Sequence, residues 1–338
     1  METVTPTRFA AAVESALRIN RKRPIFGWGK PGVGKTAVVR QVAEKVGLPF
    51  VDVRLGQLAP TDLRGMPVVD HATASTRWYR PVFLPTEGEG VLVLDEFNQA
   101  PPTMQGIAQQ LLLARRLGEY EVPDGWLILA LGNRKEDRAS VYDMPAQVEN
   151  RFKHYLVEES IDDWRRWALG QGLATEVVSF LQFRPQLLHQ YDPNGRAWPS
   201  PRTWEYAAEN HAAGESIVSC VGEAAAREFR AFVEVVATLP DLDEILRGRT
   251  PEVPFPTETS AVFALVTGLA WRVCKASQGV HAFSYLAQHA GDEWLQLYMH
   301  QAVETTSRAG VLSAFAAAAV KDERMKSYLD SVAMVMAG

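Results

Sequence analysis

Gly29-Lys30-Pro31-Gly32-Val33-Gly34-Lys35-Thr36 decides how the rest of this 338-residue chain is read. The octapeptide has the form G-x-x-x-x-G-K-[ST]. It follows a short apolar run, Pro24 to Trp28, that reads as a strand. It opens a stretch, residues 36–46, with Val38, Val39, Val42 and Val46 on one side of a helix. Strand, glycine loop and helix in that order are what a phosphate cradle needs. Glycines let the backbone wrap so that successive N–H groups point inward. The helix start adds partial positive charge. Lys35 supplies a point charge for the β- and γ-phosphates, and the Thr36 hydroxyl a ligand for Mg²⁺. As a chance turn, such a match somewhere in this length has a probability of roughly 1%. ATP and Mg²⁺ are the expected ligands.

Outward from this loop, strand and helix signals alternate. Residues 8–20 and Met104 to Ala114 read as helices. Pro49 to Val53, Val91 to Leu94, Trp126 to Leu131 and His154 to Val157 read as strands. Continuous apolar strands separated by helices imply a parallel sheet covered on both faces. The run Val91-Leu92-Val93-Leu94 ends in Asp95-Glu96. Asp95 suits Mg²⁺ and Glu96 suits a general base on the attacking water. An acidic strand end is a weak motif alone and a strong one about 60 residues after a P-loop. The second acid argues for hydrolysis, since nucleotide binding alone needs only Asp95. Asn133 ends the next apolar run, where an amide can orient the lytic water. Without the two preceding motifs, Gly132-Asn133 would read as an ordinary turn.

Two arginines stand out. Arg151, in Glu149-Asn150-Arg151-Phe152, precedes the last strand, and its planar, permanently charged fork suits a γ-phosphate. Arg202, in Ser200-Pro201-Arg202-Thr203-Trp204, opens a helix in the second half. The bland reading of either is a surface charge.

From about Asp162 the signals turn helical: Asp163 to Leu169, Thr175 to Phe183, Arg202 to His211, Ile217 to Ala237 and Glu258 to Lys275. Residues 239–257 are rich in proline and acid and read as a link. The architecture expected is an α/β domain of about 155 residues, then an all-α portion.

Composition narrows the function. Hydrophobic residues are 47% and charged residues 22%, which excludes a disordered chain, a fibre and a coiled-coil rod. The net charge of −5 argues against a partner held by a broad basic face, such as nucleic acid. Arg21-Lys22-Arg23 reads as a solvated edge. Cys220 and Cys274 cannot supply a zinc cage and read as buried small hydrophobes. The seven histidines show no ligand spacing. Trp164 and Trp167, three apart, read as core anchors. No apolar run reaches the ~18 residues of a membrane span. The N-terminus lacks the pattern of a secretory signal, so the expected location is the cytoplasm.

The ordered set Gly29–Thr36, Val91–Glu96, Leu131–Arg134, Asn150–Phe152 and Ser200–Trp204 resembles the AAA+ ATPases. More narrowly, the chain looks like the MoxR-type ATPases of the helix-2-insert group. That match rests on Leu58-Ala59-Pro60-Thr61-Asp62-Leu63-Arg64-Gly65-Met66-Pro67, on residues 78–85, on Leu94-Asp95-Glu96-Phe97-Asn98-Gln99-Ala100 and on residues 116–120. The resemblance covers about residues 8–210. It implies an αβα P-loop core over 1–157 with a β-hairpin insert within 58–85, a helical lid over 158–238, and a helical extension over 239–338. It implies a ring, six-fold in such proteins, with ATP between subunits. Asn133 would match sensor 1, Arg151 the arginine finger, and Arg202 sensor 2, acting in cis or in trans. It implies a partner with a von Willebrand factor A domain and a client protein that is remodelled or activated. The segment Gly132-Asn133-Arg134-Lys135-Glu136-Asp137-Arg138 is more charged than usual in that family, so Arg134 and Arg138 rival Arg151. The alternatives are a DNA-acting motor on the same core, an ATP-dependent switch, or a small P-loop kinase.

Overall fold

The computed structural model describes residues 1–134, 142, 150–192 and 195–337. They divide into two compact units. The first comprises residues 1–164 with 191–194 and 200–203; the second takes the rest.

The first unit is built on a six-stranded sheet in the order β1 (Glu2–Val4), β10 (Lys153–Val157), β2 (Ile25–Trp28), β9 (Gly125–Gly132), β6 (Glu89–Asp95) and β3 (Phe50–Arg54). Every pairing in it is parallel. The apolar runs explain why. Along β6 and β9, successive side chains point to opposite faces. Leu92, Leu94, Ile128 and Ala130 join Phe26, Met104, Ala108 and Leu111 in one core. Val91, Val93, Leu127, Leu129 and Leu131 join Phe9, Val13, Val39 and Val42 in another. Helix α4 (Pro102–Ala114) therefore covers one face, and α1 (Pro6–Ile19) with α2 (Lys35–Lys45) the other. Val91 to Leu94 are all fully buried. At about 1.5–3 kcal/mol per large apolar side chain, this strand is a main source of stability.

Two small antiparallel pairs stand outside this sheet. β4 (Met66–Asp70) and β5 (Ser75–Tyr79) follow the short helix α3 (Pro60–Arg64). Arg64 stacks its guanidinium over Trp78 at 4.4 Å. β7 (Arg116–Leu117) pairs with β8 (Tyr120–Glu121).

The second unit is helical. Phe180 packs against Trp204, Phe229 and Phe232. A larger core unites helices Thr259–Trp271, Ala276–His289 and Asp292–Arg308 around Leu265, Leu269, Phe283, Tyr298 and Met299. Arg165 is buried in this unit and pairs with Glu304 at 2.7 Å.

Four sequence expectations need correction. Residues 217–237 form two helices, Val218–Val221 and Glu223–Val236, because Gly222 takes a positive φ of 82° between them. The helix read over Glu258 to Lys275 ends at Trp271, with further helices after it, so Cys274 lies beyond its end and is exposed. Cys220, on the short helix, is only half-buried. Trp164 is buried, whereas Trp167 is half-buried. No described helix is long and apolar enough to cross a membrane.

Candidate nucleotide site

Parallel strands deliver their C-terminal ends to one edge of the sheet, where ligands of such folds bind. The register lines these ends up. Trp28 pairs with Gly132 and with Leu156, and Arg54 with Asp95. The glycine loop, Asp95-Glu96 and Asn133 thus share one edge.

The loop runs from Trp28 to α2. Gly32 and Gly34 have φ of 80° and 96°, which side-chain-bearing residues rarely adopt. The Lys30 ammonium pairs with Glu159 at 2.6 Å, and Val33 donates its N–H to the Lys30 carbonyl at 3.4 Å. A Cβ on Gly29 would stand 2.5 Å from the Val157 carbonyl, and one on Gly32 2.9 Å from the Ser200 hydroxyl. Only bare backbone fits at either contact. Ser200 in turn caps the helix Pro201–Ala212, accepting from the Thr203 N–H at 3.2 Å. Pro31 lies between Lys30 and Gly32, half-buried.

Lys35 is buried. Its Nζ donates to the Gly29 carbonyl at 2.7 Å, the Lys30 carbonyl at 3.1 Å and Asn133 Oδ1 at 3.0 Å. Thr36 Oγ1 donates to Asp95 Oδ2 at 2.6 Å. A hydroxyl and a carboxylate in contact are hard oxygen donors, the set Mg²⁺ takes alongside phosphate and water. Among the described residues, no cluster of three or more His, Cys, Asp or Glu could hold another metal.

Glu96 has φ 55°, a left-handed conformation unusual for a residue with a side chain. The Glu96 N–H donates to Asp95 Oδ1 at 2.8 Å, which holds the two acids apart in role. The Glu96 carboxylate lies 3.2 Å from where a Cβ on Gly56 would stand.

Three residues carry no role in the sequence reading yet belong to this site. Asn98 is buried and bonded to Asn133 through both ends of its amide, at 2.7 and 3.1 Å. Ser200 touches the loop at Gly32. Asp52, on β3 beside the Asp95 strand, has a buried Oδ1 with no hydrogen-bond partner. Burial, then the Asp95 charge, raises its pKa, while Arg54 and Arg40 at 3.9 and 3.7 Å pull it back. An acid inside the apolar run Pro49 to Val53 was the available signal for Asp52. Ser200 stands in the quoted motif Ser200–Trp204, but its place beside Gly32 is not legible locally, since the two are adjacent only in space.

The arginines separate. Arg151 is exposed and makes no ion pair or hydrogen bond among the described residues. It precedes Lys153, which pairs with Ile25 at the start of β2. At about 3.3 Å per residue, most of a strand's length lies between Arg151 and its own glycine loop. Arg202 is exposed on the first turn of the helix that Ser200 caps, so its backbone is near Gly32. Arg134 follows Asn133 on the glycine-loop edge and is half-buried. Arg138 lies outside the described residues.

Fold and site together define a P-loop nucleotide-binding domain. Residues 25–154 match the family model of the ATPases associated with various cellular activities, AAA. They run from the first residue of β2 to the second of β10 and so take in most of the sheet. A curated relative, midasin from Giardia intestinalis, is 30% identical over 193 residues. That alignment takes in 54% of this chain, which spans only 4% of the relative's length. Among solved structures, NtrX from Brucella abortus in complex with ADP aligns at 17% identity and TM-score 0.40, over 95% of this chain and 68% of its own. A RuvB variant from Thermotoga maritima aligns at 13% identity and TM-score 0.41, over 86% and 85%. Likeness at that level bears on neither ligand nor activity.

Proposed function

We propose that this chain binds Mg-ATP at the Gly29–Thr36 loop and hydrolyses it. The observation that carries the reading is the contact of Lys35 with Asn133 and of Thr36 with Asp95. Four residues from three segments converge where the loop would hold phosphate.

Glycine-loop N–H groups and the start of α2 bind the phosphates, and Lys35 leaves its carbonyl partners to neutralise the β- and γ-oxygens. Thr36 and Asp95 would hold Mg²⁺, which when bound offsets charge on the phosphates. Glu96 takes the proton of the attacking water as general base. Asn133 holds that water or a γ-oxygen in line. Arg202, beside the loop, senses the bound nucleotide.

Arg151 lies at the far end of β10 from its own loop, which supports a role at a neighbour's nucleotide. The assembly we propose is a homo-oligomeric ring, hexameric as in MoxR-type AAA+ proteins, with residues 158–238 as lid and 239–338 as extension. Its work is remodelling or activating a client protein in the cytoplasm, with a partner bearing a von Willebrand factor A domain, as the MoxR resemblance implies.

The test is ATP turnover per subunit against protein concentration, for the wild type and Arg151→Ala. Specific activity that rises with concentration, with the variant flat and low, is the expected result. Constant turnover unaffected by Arg151→Ala removes the finger assignment and favours a monomeric P-loop enzyme or a constitutive ring that uses Arg134 or Arg138. Absence of turnover in the wild type removes the hydrolytic reading itself.

A further inference from the structure

We propose that Asn98 is a positioning residue for hydrolysis, acting through Asn133. The inference rests on the hydrolytic reading above and gives a role to a residue of the run Leu94–Ala100 that had none.

The ladder between β6 and β9 runs from Glu89 with Gly125 to Leu94 with Ala130. Beyond it β6 turns away at Glu96, so the strand offers Asn133 no backbone partner. The Asn98 side chain takes that place. Its Nδ2 donates to the Asn133 carbonyl at 2.7 Å, and its Oδ1 accepts the Asn133 N–H at 3.1 Å. A side-chain amide thus bonds both the N–H and the C=O of one residue, as the facing residue of an antiparallel hydrogen-bonded pair does. The pair is buried on the Asn98 side, where only 3% of the residue is exposed. Unmade, such bonds cost far more than they return when made.

The fit is specific. A Cβ on Gly132 would stand 2.6 Å from Asn98 Oδ1 and 3.0 Å from the Phe26 ring. The glycine before Asn133 is what lets the amide approach. On the other side, Asn98 belongs to the 3-10 turn Phe97–Gln99, closed by the Gln99 N–H on the Glu96 carbonyl at 3.0 Å. One short turn therefore carries both Glu96 and the clamp on Asn133. With its backbone fixed, Asn133 holds Oδ1 3.0 Å from Lys35 Nζ. Asn98 sets the spacing between general base, amide and lysine without touching nucleotide itself.

The experiment is a double-mutant cycle on the 338-residue chain. Asn98→Ala and Asn133→Ala are made singly and together, with Asn98→Asp as a second variant that keeps one acceptor. Turnover, affinity for a fluorescent ADP analogue and melting temperature are read for each. Asn98→Ala is expected to lower kcat at least about tenfold with ADP affinity within about twofold of wild type. In the Asn133→Ala background it is expected to cost kcat nothing further, since the side chain it aims is gone. Asn98→Asp is expected to fall between wild type and Asn98→Ala. Additive losses in the double variant overturn the proposal. So does a loss of ADP affinity parallel to the loss of kcat, or an unchanged kcat. A wild type that binds ADP but turns over no ATP removes the hydrolytic reading and this proposal together, an outcome distinct from additivity.

Discussion

Lys35 and Asn133, 98 residues apart, meet at 3.0 Å between ammonium and side-chain amide oxygen. The ammonium's other acceptors are the Gly29 and Lys30 carbonyls of its own loop. An ammonium has three donors, so a phosphate that recruits Lys35 must displace at least one of these partners. The lysine is held in the loop, and Asn133 is the partner that belongs to another strand.

Lys35→Met is therefore expected to remove nucleotide binding while leaving the fold intact. The aliphatic stem still fills its buried path, and only the charge is lost. Affinity for a fluorescent ATP analogue should fall by about 100-fold or more, a loss of ~3 kcal/mol in line with charged hydrogen bonds. Titration fluorimetry with a parallel thermal melt checks this. Unchanged affinity would mean that the loop is not the nucleotide site.

Glu96→Gln separates binding from turnover. The amide keeps the size and the left-handed turn but cannot take a proton. Turnover should fall by about 10² to 10⁴, the usual contribution of a positioned general base, with ATP affinity unchanged or tighter. Single-turnover phosphate release measures it. Retained turnover would transfer the base role elsewhere.

Gly32→Ala probes how the loop meets the helix that begins after Ser200. With φ at 80° and the Ser200 hydroxyl 2.9 Å from the new Cβ, the substitution strains backbone and contact together. A left-handed conformation alone costs a side-chain residue about 1–2 kcal/mol. The variant should bind ATP weakly and melt lower, and Ser200→Gly added to it should recover part of both. No recovery would mean that backbone strain, rather than the Ser200 contact, sets the requirement for glycine.

Sequence carried much of this, for physical reasons that differ from part to part. The glycine loop and the acids after Val91–Leu94 are contiguous, so local chemistry reveals them. The strands β2, β6 and β9 are buried on both faces, so their apolar runs are unbroken. β1 was missed because Glu2–Val4 is three residues long at a sheet edge, with only Val4 buried. Asn98 stands in the run Leu94–Ala100 without a role of its own, because its partner Asn133 is 35 residues away. Gly222 falls inside the helical pattern of residues 217–237, yet its positive φ breaks the helix. The exposure of Cys274 follows from a helix end that the apolar pattern did not mark.

Asp52 yields a prediction about stability and pH. Its carboxylate is largely buried, one oxygen lacks a partner, and Asp95 repels it. Its folded pKa is raised, so the folded state holds this proton more tightly than the unfolded chain does. The charged form then costs stability at neutral pH, and that cost disappears as pH falls through the raised value. Asp52→Asn should raise the melting temperature at about pH 7.5 by roughly 2–4 °C, equivalent to ~1 kcal/mol. The gain should shrink as pH is lowered towards about 4 and the wild-type carboxyl takes up its proton. Thermal melts of both proteins at the two pH values test this. A lower melting temperature for the variant at pH 7.5 would mean that Arg40 and Arg54 outweigh burial and repulsion, making the carboxylate a net stabiliser.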